Sequence, residues 1–211
     1  NYNLHQTINI ELQKLDLDLT GKDNLFYTRF MANASALHAL YIDLYQQHPK
    51  QELLFQQLLE TITSAYKKRS AALKIKDEEK QKKGFWFLSN EITGMSLYVD
   101  RFCGSIKNME GKLDYFKKLG VNFLHLMPIF KSPEGDSDGG YAVSDFSKVD
   151  DRFGPLADLQ SLQQKMSRDN IYLMIAIVLN HPSPRLGWAE KATPGSSQPQ
   201  PYFCIYAAPG L

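Results

Sequence analysis

Apolar positions in the first part of the chain recur at intervals of three and four residues. Ile8, Leu12, Leu15 and Leu19 form one such row, and Leu37, Leu40, Tyr41, Leu44 and Tyr45 form a second. That spacing places side chains on one face of a helix. His48-Pro49 breaks the pattern, because proline lacks an amide donor and turns the residue before it away from helix. A third row follows at Leu54, Leu58, Ile62, Ala65 and Tyr66. Residues 74–83 then set Asp77, Glu78 and Glu79 among lysines, which reads as a solvated helix or linker rather than as a partner-binding run. Gly84 ends this half. Residues 1–84 are expected to form a helical domain, its amphipathic helices packed on their own apolar stripes.

Beyond Gly84 the period changes. Short apolar runs at 95–99, 121–127 and 172–179 predict three strands, the second stopped by Pro128. Between them lie an amphipathic helix at 109–119, closed by Gly120, and another at 156–167 carrying Leu156, Leu159, Leu162 and Met166. The third strand is apolar on both faces, the pattern of a parallel strand covered on both sides. Strands alternating with helices predict βαβ units with right-handed crossovers. An open doubly wound sheet and a (β/α)-barrel are both admissible on pattern alone.

Composition narrows the function classes. Hydrophobic content of 43% and charged content of 22% over 211 residues are those of an ordinary globular chain. A net charge of +1 gives no electrostatic ground for a nucleic-acid or anionic-membrane partner. Residues 172–179 form the longest strongly apolar run, too short to span a bilayer. No basic stretch followed by an apolar core opens the chain, which predicts no signal peptide and a cytoplasmic location. The chain begins with Asn1 rather than Met, so secretion stays open. Cys103 and Cys204 match no zinc or redox spacing and are expected to be plain thiols. The five histidines show no metal-ligand spacing, and no phosphate-cradling loop or Gly-x-Ser-x-Gly elbow is present. No cofactor or metal is expected.

Polar residues stand just past the carboxyl end of each strand, where α/β folds build their sites. These are Tyr98 to Phe102 with Asp100, the Gly-rich loop 132–141, and the pair Asn180-His181. Asp138, Tyr141 and His181 suit a neutral polyol: a carboxylate and an imidazole bind hydroxyls, and a ring stacks on a sugar's apolar face. Each has a plainer reading. Asp138-Gly139-Gly140 is turn chemistry, Tyr141 could be a packing residue, and His181 could be a satisfied strand-end histidine or cap the next segment with Asn180.

The order of these pieces resembles the amylosucrases of glycoside hydrolase family 13. Trp86 to Glu91, Tyr98-Val99-Asp100, Leu124 to Pro128 and Ser137 to Ser144 follow one another as in that family, and Phe153-Gly154 and Asn180-His181 resemble signposts of the whole superfamily. Ala36 to Leu40 and Leu58 to Ile62 resemble the amylosucrase helical domain. The resemblance implies an α/β chain with an N-terminal all-helical domain at 1–84, followed at 85–211 by the first three strands of an incomplete (β/α)8 barrel. It also implies glucosyl transfer from sucrose to an α-1,4-glucan with release of fructose, by a retaining double displacement. Asp138 and Tyr141 would close and floor the donor-glucose pocket, with Tyr141 as the stacking platform and His181 bonding the glucose hydroxyls. Asn180 and Asp100 would be structural neighbours of the site. Amylosucrases do not depend on calcium, so no metal is implied.

Two departures stand out. The family motif begins with an aspartate four residues before Asn-His, where this chain has Ala176, and Pro182 stands where a threonine is usual. In relatives that aspartate holds an arginine, and removing one partner of a buried pair costs about 3–5 kcal/mol. The family's nucleophile, acid/base and third carboxylate follow later strands, so none is assigned here. Retaining chemistry needs two carboxyl groups about 5–5.5 Å apart. The 211 residues are therefore expected to be inactive by themselves. A non-catalytic carbohydrate-binding module and a structural remnant are the rival readings.

Overall fold

The computed structural model describes residues 2–14, 17, 18, 20–187 and 189. Leu15 and Leu19 of the first apolar row, Trp188, and the segment holding Cys204 lie outside the described residues. Contacts divide the chain into two compact units, residues 1–86 and 87–211.

The first unit holds α1 (Tyr2–Gln13), α2 (Asn24–Tyr45), α3 (Gln51–Lys68) and α4 (Ala71–Lys82). Its core gathers Leu4, Ile8 and Leu12 of α1, Phe30, Ala34 and Tyr41 of α2, and Phe55 and Leu59 of α3. The buried row of α2 is not the expected one: Leu40 and Leu44 are each 65% exposed. A helix rich in apolar residues offers several stripes, and the neighbouring helices select one. Asp23, just before α2, is buried and accepts from Tyr66 Oη at 2.7 Å and Lys74 Nζ at 2.9 Å. One carboxylate thus ties α2 to α3 and α4. The charged run falls on α4, which buries none of its side chains and is capped by Ser70, whose Oγ accepts from Leu73 N.

The second unit contains β1 (Gly94–Leu97), α5 (Val99–Cys103), α6 (Ile106–Glu110), α7 (Leu113–Lys118), β2 (Phe123–Leu126), β3 (Phe130–Lys131), β4 (Asp145–Val149), α8 (Leu156–Arg168) and β5 (Tyr172–Ile175). Strands β1, β2 and β5 form a parallel sheet in the order β1-β2-β5, the beginning of a (β/α)8 barrel. Val99, expected in the first strand, instead starts α5. The helix expected across 109–119 is broken into α6 and α7, because Gly111 N and Lys112 N turn back to Asn108 O and Met109 O. Glycine inside a helix costs about 1 kcal/mol relative to alanine. Gly120 closes α7 with a φ of 74°.

Alternation along the strands sorts the two faces of the sheet. Leu124 and Leu126 are fully buried and pack with Ile106, Met109, Phe116, Leu162 and Met166. The opposite face carries the register partners Ser96, His125 and Met174. His125 Nδ1 lies 3.0 Å from Ser96 Oγ, while its buried Nε2 has no partner among the described residues. Met174 is 46% exposed, and Ile177 and Leu179 beyond the strand are 57% and 78% exposed. Among the described residues the third strand is thus covered on one face only, where Leu173 and Ile175 pack against the core, and not on both as expected. In a closed barrel this face turns inward, where facing strands cover it.

Candidate functional site

Parallel pairing carries all three polar segments to one edge of the sheet. Tyr98 follows β1, the loop carrying Asp138 and Tyr141 follows β2, and Asn180-His181 follows β5. Backbone bonds join the last two segments. Ala176 N extends the ladder to Leu126 O at 3.0 Å, and Ser183 N donates to Val143 O at 2.9 Å. Val143 lies two residues from Tyr141 and Ser183 two from His181, so this bond stitches their segments together.

The loop between β2 and β4 has a built stem. Strands β3 and β4 pair antiparallel, Ser144 N donates to Lys131 O at 2.8 Å, and Asp150 N donates to Ile129 O at 2.9 Å. Buried Asp150 then holds both sides. Its Oδ2 accepts from Ser132 N at 3.1 Å and Ser132 Oγ at 3.2 Å. Its Oδ1 accepts from Arg152 N at 3.1 Å and Arg152 Nε at 2.8 Å. Burial pushes this carboxyl up, but the hydrogen bonds and charge of Arg152 and the Ser132 amide outweigh it and hold the group at about 2. Lys131 and Asp151 add an ion pair at 2.7 Å. Sequence reading missed this hairpin and its carboxylate.

At the tip, Asp138, Gly139 and Gly140 take φ values of 46°, 65° and 95°. Asp tolerates the left-handed region better than most residues, so the turn reading of this tripeptide is geometrically correct. Gly140 N and Ala142 N both donate to Ser137 O, at 2.8 and 3.0 Å. A Cβ on Gly140 would stand 3.0 Å from Pro128 O and 3.1 Å from Pro128 Cβ. The loop therefore folds directly onto the end of β2, and only glycine permits that approach. A Cβ on Gly139 would meet Tyr141 Cδ2 and Tyr98 Oη, each at 3.9 Å. Tyr98 thus joins the Tyr141 neighbourhood from the first strand. Burial, the adjacent Tyr98 phenol with its hydrogen bond, and Asp138 all push the Tyr141 phenol up.

Tyr141 is half-buried, and Asp138, Asn180 and His181 are exposed. No side-chain hydrogen bond joins Asp138, Tyr141 and His181 among the described residues. Asp100 sits in the first turn of α5, with Oδ2 3.9 Å from Arg101 Nε. Behind it, Phe102 stacks on Phe116 with ring centroids 5.5 Å apart. Cys103 is a free thiol that burial pushes up, its Sγ 3.3 Å from Ser105 O. Among the described residues, no group of three or more His, Cys, Asp or Glu could hold a metal ion, and no helix is long and apolar enough to cross a membrane.

Residues 50–209 match a protein-family model described as "Alpha amylase, catalytic domain". The chain is similar to the oligo-1,6-glucosidase of Parageobacillus thermoglucosidasius, 34% identical over 103 residues that make up 49% of this chain and 18% of the relative. It is 31% identical over 106 residues to the palatinase of Erwinia rhapontici, covering 50% of this chain and 19% of that protein. Among solved structures it is similar to an isomaltulose synthase variant from Erwinia rhapontici NX5 in complex with sucrose, at 29% identity and a TM-score of 0.48, covering 52% of this chain and 21% of that one. The chain thus spans about a fifth of the length of these relatives.

Proposed function

Since this chain belongs to the α-amylase family, we propose that it supplies the front wall of a glucosyl-handling site of the retaining type, with Asp138, Tyr141 and His181 around one glucose unit. The observation that carries this reading is the parallel sheet, which delivers the three segments to one edge, reinforced by the Ser183–Val143 bond. Tyr141, held in its half-buried position beside Tyr98, offers a ring face to the apolar side of a hexose. Asp138, lifted into the open by its left-handed turn, accepts from hydroxyls, and His181 bonds a hydroxyl from the third segment. Asn180 and Asp100 support the neighbouring backbone.

The finer reading is an amylosucrase-like donor site: sucrose supplies the glucosyl unit and an α-1,4-glucan accepts it, in a cytoplasmic protein with no nucleic-acid or membrane partner. Residues 1–84 act as a helical domain and residues 85–211 as a barrel portion. The support for sucrose is the wording of residues 86–91, 124–128 and 137–144. Of the relatives reported above, the oligo-1,6-glucosidase and the palatinase are named for other glucosides, and the isomaltulose synthase variant is in complex with its natural substrate sucrose.

The test is sucrose and glucose binding to the 211-residue chain, followed by saturation-transfer NMR, for wild type, Tyr141→Ala and His181→Ala. Both substitutions should weaken binding by about tenfold, as expected when a stacking face or a hydrogen bond to a fixed group is removed. Binding untouched by either substitution sinks the donor-site assignment.

A further inference from the structure

Helix α2 turns one face inward and leaves the opposite one open. Phe30, Ala34 and Tyr41 enter the core of the helical unit with side chains of α1 and α3. On the far side Leu40 and Leu44 are each 65% exposed, and Arg29, Ala32, Ala36 and Asp43 are exposed with them. At about 100° per residue, Arg29, Ala32, Ala36, Leu40 and Asp43 all fall within about 40° of one line along the helix. The row runs cation, small, small, large, anion. We propose that a second copy of this chain docks on this face, α2 against α2 in antiparallel, with Ala36 at the two-fold axis.

The order of the row, more than its apolarity, selects the occupant. A two-fold axis through Ala36 sets each residue against the one equally far from Ala36 in the other direction. Leu40 then faces Ala32 of the second copy, a large side chain over the space beside a small one, and the same contact recurs at the other end. Leu44 extends the apolar contact beyond it. Arg29 and Asp43 stand seven residues to either side of Ala36, about 10 Å along the axis. Each guanidinium therefore meets the carboxylate of the other copy.

Both charges are free to make that pair. Lys14, Arg69 and Lys74 of the same unit are all bound to carboxylates. The side chains of Arg29 and Asp43 make no hydrogen bond or ion pair among the described residues. A parallel alignment stacks Arg29 on Arg29 and Asp43 on Asp43, which like charges oppose. A partner of uniform charge is repelled at one end of the row. A second copy in antiparallel satisfies both ends at once.

Alanine at the crossing lets the two axes approach toward the short end of the usual range of about 8–10 Å. One helix pair makes a small interface, below about 1,200 Å², so the dimer is expected to be reversible and concentration-dependent. This inference does not rest on the glucosyl-handling reading.

Sedimentation velocity of the 211-residue chain over a concentration series measures the association, with circular dichroism checking that each variant keeps its helices. Wild type is expected to show a reversible monomer–dimer equilibrium. Leu40→Asp and Ala36→Glu each put charge into the contact at an exposed position, and each is expected to weaken association by at least about tenfold. Arg29→Glu and Asp43→Arg each turn two attractive pairs into repulsive ones, for a loss of about tenfold. A chain carrying both exchanges has the charge of wild type with the pairs reversed, and is expected to associate within about threefold of wild type. An equimolar mixture of the two single variants is expected to recover in the same way, which places the pairs between chains. A parallel pairing predicts no loss from either single exchange. Wild type monomeric at every concentration, a dimer indifferent to Leu40→Asp, or a folded double variant that stays monomeric overturns the proposal.

Discussion

Replacing Asp150 by asparagine tests whether the stem of the 132–141 loop is held by one buried carboxylate. The side chain is 7% exposed and accepts five hydrogen bonds, two on Oδ1 and three on Oδ2. Asparagine keeps the shape but turns one oxygen into an NH₂ group, which then faces at least two donors and leaves Arg152 without its counter-charge. The expected cost at pH 7 is about 2–4 kcal/mol. The pH dependence gives an independent estimate. A carboxyl held at about 2 in the fold, against 3.8 in the unfolded chain, contributes roughly 2 kcal/mol. Because the folded value is the lower one, this stability is fully present above the unfolded value. It is lost as pH falls from about 5 toward 2 and below. The assay is urea unfolding followed by far-ultraviolet circular dichroism at pH 7, 4 and 2.5. Wild type should lose more stability over that range than Asp150→Asn, by roughly 2 kcal/mol. Glu110, bonded by Lys165 and also held at about 2, leaves some acid dependence in both proteins. A loss below about 0.5 kcal/mol at pH 7, the range of ordinary surface substitutions, or identical acid slopes in the two proteins, refutes the reasoning.

Gly140→Ala forces a side chain into a φ of 95° and within 3.0 Å of Pro128 O, so it should destabilise by about 1–3 kcal/mol and abolish sucrose binding, read by thermal unfolding and NMR titration. Leu162→Ala empties a fully buried position between α8 and the sheet and should cost about 2–5 kcal/mol by urea unfolding; a loss under about 1 kcal/mol would show that this core is loosely packed. Tyr66→Phe removes the 2.7 Å bond to Asp23 and should cost about 1–2 kcal/mol, with Lys74 still paired to the carboxylate. The 211-residue chain should release no fructose from sucrose above a buffer blank, since nucleophilic and acid–base catalysis each need a positioned carboxylate; release that His181→Ala abolishes would mean the chemistry resides in these residues.

Several features are legible in the amino-acid sequence because local chemistry determines them. Strand cores at 123–126 and 172–175 and the helix at 156–168 follow from apolar runs and a helical period that no neighbour has to supply. Gly120, as a helix terminator, and Asp138-Gly139-Gly140, as a left-handed turn, are dictated by the sterics of a missing or short side chain. The placement of polar segments past strand ends follows once the strands are parallel. What the tertiary structure alone decided depends on partners distant in the chain. Leu40 and Leu44 repeat as regularly as Tyr41, yet neighbouring helices bury Tyr41 and leave the leucines exposed. Hairpin β3–β4 is too short to show alternation, and Asp150 reads as a surface aspartate until Ser132, eighteen residues away, donates two hydrogen bonds to it. Tyr98 reads as a strand residue until the turn at Gly139 brings it beside Tyr141. Periodicity records which residues avoid water; which residues meet is settled only when the whole chain closes on itself.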